Sequence, residues 1–195
     1  MTARADTQHG RVRADVRADA AIANFLYEAG TLRKIARSHR QTLLTDDLSD
    51  NIASHSFRVA LIAWFLAQRE RADPYKCVMM ALLHDIAETR AGDHNWVHKK
   101  YVRVYEKEIQ QEQLGALPYS ALKELIDEYE ERKSAEAALA KEADLLDQIL
   151  LLREYEMQGN TEATRWLRGK GANKPRAKLD ELKTQTAIAH AASVV

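Results

Sequence analysis

The sharpest chemistry in the chain is His84-Asp85, in the run ALLHDIAET at the end of an apolar stretch. A carboxylate set against a core helix needs a partner such as a metal ion or a cation. Glu88 follows Asp85 by three residues and His84 by four, so all three can share one helical face. Three ligand-type or acid–base groups within five residues at the mouth of a core point to a reaction centre. A helix end that drifts into solvent with its charges exposed is the competing reading, and these residues alone do not separate the two.

His55 shifts the balance. It opens the stretch HSFRVALIAWF, just before its most apolar part. A lone histidine there also suits a hydrogen-bonded core residue. Asp144, in KEADLLDQILLL, sits on the otherwise apolar side of its helix; Asp147 lies one turn later, and both could be solvated. Taken together, His55, His84, Asp85 and Asp144 offer two nitrogens and two carboxylate oxygens from three helices. That donor set suits one divalent transition ion, Mn, Fe, Co, Ni or Zn, with positions left for water and substrate.

The elements that must position these groups read as helices. The chain has 195 residues, 46% of them hydrophobic and 30% charged, enough for a packed core and too apolar for wholesale disorder. Only seven Gly and three Pro occur, which favours long helices over a turn-rich β fold. We expect an all-α, single-domain helical bundle. Residues 1–20, with RAD repeated at 4–6, 13–15 and 17–19, read as a charged leader, either a helix extension or a flexible segment. Residues 21–160 read as the main domain and 161–195 as a C-terminal helical extension packed on it.

From Ala20 onward Ile22, Phe25, Leu26, Ala29 and Leu32 recur at helical spacing. The polar run TDDLSDN (45–51) supplies N-caps for a helix reaching about Arg69, apolar nearly all round and therefore central. Pro74 opens a helix predicted to run to about Thr89. Others are predicted over 97–114, from Pro118 through SALKELIDEYEERK, over 134–157, and in two further segments after Gly159-Asn160. Met79, Met80 and Trp64 read as core.

Lys+Arg and Asp+Glu balance at 29 each, so no uniformly basic surface exists for a nucleic-acid polymer. The longest apolar run, VALIAWFLA (59–67), is too short to span a bilayer, and no secretory signal pattern opens the chain. The lone Cys77 cannot form an intrachain disulfide. These features point to a cytoplasmic protein that takes no membrane or polymer partner.

The ordered set His55…His84-Asp85…Asp144 resembles the H…HD…D signature of the HD-domain metal-dependent phosphohydrolases, and in particular the branch with bacterial 5′-deoxynucleotidases. The branch's motif around the first histidine appears as His55-Ser56-Phe57-Arg58-Val59-Ala60, and its HD-x-x-E-x-x-x-x-D motif as His84-Asp85, Glu88 and Asp93. Arg37, the acidic EYE segment (128–130), and Lys141 before Asp144 also agree. The resemblance covers about Phe25 to Gly159. It implies hydrolysis of a (deoxy)nucleoside 5′-monophosphate to nucleoside and phosphate by metal-activated water. His55, His84, Asp85 and Asp144 would hold the ion. Glu88 would take or steer the water's proton. Arg37 would grip the phosphate with its paired donors. Asp93 would contact the sugar hydroxyl or assist the leaving oxygen, and Lys99 is a further phosphate candidate. Similar proteins are often homodimers, and Trp166, Leu167, Leu179, Leu182 and Ile188 could supply that interface or cap the core.

The chain departs from the pattern in three places. Ser54 stands where the family usually has Glu, Ser38 follows the arginine where relatives can carry a base-stacking aromatic, and His94-Asn95-Trp96 replaces the usual Thr-Pro. His94 and His98 have helical metal-pair spacing without an HExxH frame and read as loop residues. The basic run RGKGANKPR (168–176) reads as a solvated connector, and Cys77 as no nucleophile. Alternative functions on the same residues are a dNTP triphosphohydrolase, a small phosphodiesterase, or a nucleotide-binding module without turnover. A helical interaction module without metal requires that the four ligand candidates never meet in space.

Overall fold

The computed structural model describes residues 2–169 and 182–193, with side chains from residue 15. The basic connector from Lys170 on, and Leu179, lie outside the described residues. Helices make up the fold. Among the described residues, extended pairing is limited to one antiparallel bridge between Ala36 and Asn51. No helix among them is long and apolar enough to cross a membrane.

Three helices form the centre: α3 (Ile52–Glu70), α4 (Pro74–Leu83) and α8 (Ala135–Met157) pack mutually. Their shared core includes Val59, Ala63, Leu66, Cys77, Ile149 and Leu152, all fully shielded. α1 (Thr2–Ala29) runs without a break through the charged N-terminal stretch, and a 3-10 turn over Gly30–Lys34 leads it towards α3. The short α2 (Arg40–Leu43) sets Leu43 into the central core and α5 (Glu88–Ala91) borders the site, while α6 (Glu106–Leu114) and α7 (Ala121–Glu131) close the side where His84 lies. α9 (Thr161–Leu167) and α10 (Gln185–Ala192) join the central core through Ala163, Trp166, Leu167, Ala187 and Ala191, so Trp166 and Leu167 are buried within the chain. Ile188 remains exposed.

The start of α3 is fixed by a capping box. Asn51 Oδ1 accepts from Ser54 N at 3.0 Å, and Asn51 N donates to Ser54 Oγ at 3.3 Å. Ser54, the residue before His55, is thereby committed to the helix terminus. Asn51→Ala is expected to lower stability by about 1 kcal/mol, a loss of roughly 2–4 °C in Tm that a thermal melt would register.

Three expectations are corrected. α4 ends at Leu83 and does not reach Thr89. Ile86 N and Glu88 N donate to the carbonyls of Leu83 and Asp85, bonds that tighten residues 84–87 into turns. The helix expected over 97–114 exists only from Glu106: a 3-10 turn at His98–Lys100 is followed by irregular chain. There Asn95 Oδ1 accepts from Val97 N and His98 N, and β-branched Val102 and Val104 favour an open backbone. Finally, α3 is buried on one side only. Phe57, Leu61 and Phe65 face solvent, and Trp64 is 37% exposed where a core position was expected.

Candidate metal centre and active-site cleft

His55 reaches the site from the first turns of α3, Asp144 from the middle of α8, and His84 and Asp85 from the turn that ends α4. The bulk of these helices is apolar and packed, so the polar groups at their edge are held by a rigid frame. His55 Nε2 lies 3.3 Å from His84 Nε2 and 3.3 Å from Asp144 Oδ1. His84 Nε2 lies 3.9 Å from Asp144 Oδ1. These three residues each present a ligand atom within 4.8 Å of the others. Asp85 Oδ2 adds contacts of 3.1 Å to His84 Nε2 and 3.5 Å to His55 Nε2, and it also accepts from Arg37 Nη1 at 3.2 Å. The structure thus brings the four sequence-predicted ligands together.

The donor set fits a divalent ion. Ligand atoms bound to one ion at about 2.0–2.2 Å must stand roughly 3.0–3.5 Å apart, which is the spacing found for most of these pairs. Both imidazoles are also turned for the task. His84 Nδ1 lies 2.7 Å from the Ala81 carbonyl, which can only accept, so the tautomer of the neutral ring that fits has its proton on Nδ1 and its lone pair on Nε2. Burial and Arg37 work against a charge on His55, but hydrogen bonds to Asp144 and Asp147 outweigh them and push its pKa up to about 9. A proton and a cation compete for the same Nε2 lone pair. Burial opposes charge on Asp85 and Asp144 too. The facing imidazoles, with Arg37 beside Asp85 and Lys141 beside Asp144, hold both well below the usual carboxylate range.

Beside these groups opens a cleft of about 430 Å³. Arg37, Glu88, Asp93 and Lys99 all line it. Arg37 is placed by the Ala36–Asn51 bridge: its backbone N donates to Asp50 O at 2.9 Å, and Ile52 N donates to Ile35 O at 3.0 Å. The phosphate-gripping candidate is therefore tied to the start of the helix that carries His55. The Arg37 guanidinium is buried, stays charged through Asp85 and Asp93, and has an Nε without a hydrogen-bond partner. Asp93 Oδ2 accepts from Ser38 N at 2.6 Å and stands 3.9 Å from Arg37 Nε, so it also steadies the arginine's loop. Glu88 has a buried, unpartnered Oε2. Burial, with Asp85 and Asp93 nearby, pushes its carboxyl up to about 10.

Several neighbours to which the sequence assigns no role also meet the site residues. Asp147 is buried and lies 2.6 Å from His55 Nδ1. Its i, i+3 spacing from Asp144 was the available signal. Arg58 Nε pairs with the other Asp147 oxygen. Tyr129 packs its ring 5.9 Å from that of His84 and carries the Arg132 guanidinium on its face. Lys141 Nζ holds Asp144 Oδ2 at 2.6 Å. His94 lines the cleft, but its partnership with His98 is an edge-on ring contact at 5.7 Å. Cys77 is buried, and burial raises its thiol to about 12, as expected of an inert cysteine.

Comparison with known proteins adds independent findings. A family model described as HD domain matches residues 29–182. The human 5′-deoxynucleotidase HDDC2 is 31% identical over 144 residues, 69% of this chain and 68% of the relative. A 5′-deoxynucleotidase of Erwinia tasmaniensis is 31% identical over 147 residues, 67% of this chain and 74% of its own. Among solved structures, a predicted metal-dependent phosphohydrolase from Magnetospirillum magnetotacticum superposes with a TM-score of 0.66 at 30% identity, covering 91% of this chain and 90% of its own.

Proposed function

The chain belongs to the HD domain family, and on that footing we propose that it is a divalent-metal-dependent 5′-nucleotidase that hydrolyses (deoxy)nucleoside 5′-monophosphates to nucleoside and phosphate. The observation that carries the reading is the convergence of His55, His84, Asp85 and Asp144 at one end of a cleft that also holds Arg37 and Glu88. The likeness to proteins named 5′-deoxynucleotidases supports the substrate class.

In this reading the four ligands would hold one ion of Mn, Fe, Co, Ni or Zn, and such an ion, when bound, would supply Lewis acidity towards water and phosphoryl oxygens. The cleft wall carries five Lys/Arg and six Asp/Glu side chains, Glu88 among the latter, so a bound divalent cation would add positive charge that favours an anionic substrate. Arg37, already steered by Asp85 and Asp93, offers its remaining donors to the phosphate. Lys99 adds a second cation on the same wall. Glu88 moves a proton at its buried carboxyl, between the attacking water and the leaving 5′ oxygen. Asp93, with one oxygen on the Ser38 backbone, meets the sugar hydroxyl.

We further assign the protein to the cytoplasm, which suits a single cysteine kept as a free thiol. It acts as a homodimer, supported by the exposed apolar stripe Phe57, Leu61 and Phe65 on α3. The functional test is product analysis with a panel of ribo- and deoxynucleoside mono- and triphosphates, with Mn or Co added. Nucleoside and phosphate should come from the monophosphates and disappear with EDTA. A metal-loaded protein that releases no nucleoside from any monophosphate would sink the assignment, and tripolyphosphate release would redirect it to triphosphates.

A further inference from the structure

We propose that Asp147 is the positioning residue for His55, and that Arg58 dictates which way round Asp147 performs that role. The inference rests on the metal-centre reading above and adds to it two residues that touch neither ion nor substrate.

The geometry is a chain of three side chains. Asp147 is buried on α8, one turn beyond Asp144. Its Oδ2 accepts a hydrogen bond from His55 Nδ1 at 2.6 Å, and its Oδ1 accepts from Arg58 Nε. Arg58 continues outward, donating from Nη2 to the Asp147 carbonyl at 3.5 Å and from Nη1 to Glu154 at 2.5 Å. Nothing adjacent on α3 supplies the same acceptor: Ser54 is committed to the Asn51 cap, and Ser56 Oγ is buried without a partner.

A neutral imidazole carries one proton, and the nitrogen that holds it cannot bind a metal. With its proton on Nδ1, His55 directs the Nε2 lone pair at the point it shares with His84 and Asp144. Ligand and orienting group also sit on one helix, so the spacing between Asp144 and Asp147 is fixed by a single turn of α8. His84 needs only the Ala81 carbonyl for the same purpose. His55 depends on a side chain, and that side chain needs two acceptor atoms at once.

That double requirement makes Asp147→Asn a sharp probe. The amide it introduces has one acceptor for two donors. With Arg58 claiming the oxygen, the amide NH₂ would face His55 Nδ1 and force the proton onto Nε2. Removing Arg58 would free the oxygen to turn back to His55.

The experiment is titration calorimetry of Mn²⁺ and Co²⁺ into the purified metal-free chain, with circular dichroism of each variant. Asp147→Asn should weaken the ion by roughly 10–100-fold with the helical spectrum retained. The double variant Asp147→Asn/Arg58→Met should recover most of that loss, whereas a merely structural ion pair predicts a double variant no better than the single. Glu154→Gln should bind as wild type. Unchanged affinity in Asp147→Asn, or no recovery in the double variant, overturns the proposal while leaving the metal centre standing; a wild-type chain that binds no divalent ion overturns both. If Asp147→Asn does not fold, a long-range ¹H–¹⁵N spectrum of the Zn²⁺-loaded wild type decides. It should show the His55 proton on Nδ1; a proton on Nε2 refutes the assignment.

Discussion

Replacing Glu88 with glutamine should cut kcat by about 10²–10⁴-fold while divalent-ion affinity stays within a few-fold of wild type. The carboxyl stands one turn after Asp85, lines the cleft, and has a buried oxygen with no partner. Burial and the two neighbouring aspartates favour its proton-holding state, with a pKa pushed up to about 10, while Arg37 and Lys99 pull the other way. A divalent ion bound beside Asp85 would draw that value down towards the neutral range, where the carboxyl can take and return a proton. Glutamine keeps the shape and most of the hydrogen bonding and removes only the proton exchange. The assay is phosphate release under saturating substrate, beside calorimetry of Mn²⁺ binding. Wild-type kcat in the glutamine variant would remove Glu88 from the proton path.

Arg37→Met should reduce kcat/KM by about two orders of magnitude, the scale of roughly 2–5 kcal/mol expected when one member of a buried, hydrogen-bonded charge pair is truncated. Two effects combine. The substrate phosphate loses the guanidinium, and Asp85 and Asp93 lose the cation that faces them. The second effect has its own signature: the metal-free variant should melt several degrees below wild type, and a divalent ion bound beside Asp85 should restore part of the difference. Arg37→Lys returns a charge without the planar fork, so it should recover stability more fully than activity. A methionine variant with unaltered KM and kcat would mean that phosphate is held elsewhere on the cleft wall.

Much of this site was legible because its chemistry is local in sequence. His84, Asp85 and Glu88 announce themselves within five residues, and the apolar periodicity of α3 and α8 places His55 and Asp144 on packed helices. Asp147 was harder to read, since an aspartate one turn from another aspartate reads equally well as a solvated face. Only the approach of α3 to α8 reveals that His55 and Arg58 claim its two oxygens. The break at Leu83 was hidden for a related reason. Residues 84–87 have ordinary helical composition, and what ends the helix is the set of tight backbone bonds around the site. Residues 97–105 carry no Gly or Pro to mark irregular chain, so the helix expected there began too early. Trp64 shows the limit of periodicity: apolar residues nearly all round α3 suggest a central helix, yet only one side meets α4 and α8.

The bridge between Ala36 and Asn51 has an evolutionary consequence. It pins both ends of the segment 38–50, because Arg37 N and Asp50 O meet at 2.9 Å. The excursion between them is a closed loop whose tip exposes Leu44 and Leu48 to solvent, while Leu43 packs into the central core and Asp47 accepts from the Tyr155 hydroxyl. Lengthening a flexible loop costs little, about 0.6 kcal/mol per doubling. New residues inserted at that tip would leave the spacing of Arg37 and His55 untouched. Descendants of this chain can therefore vary this outer loop in length and composition while inheriting the spacing of Arg37 and His55 unchanged.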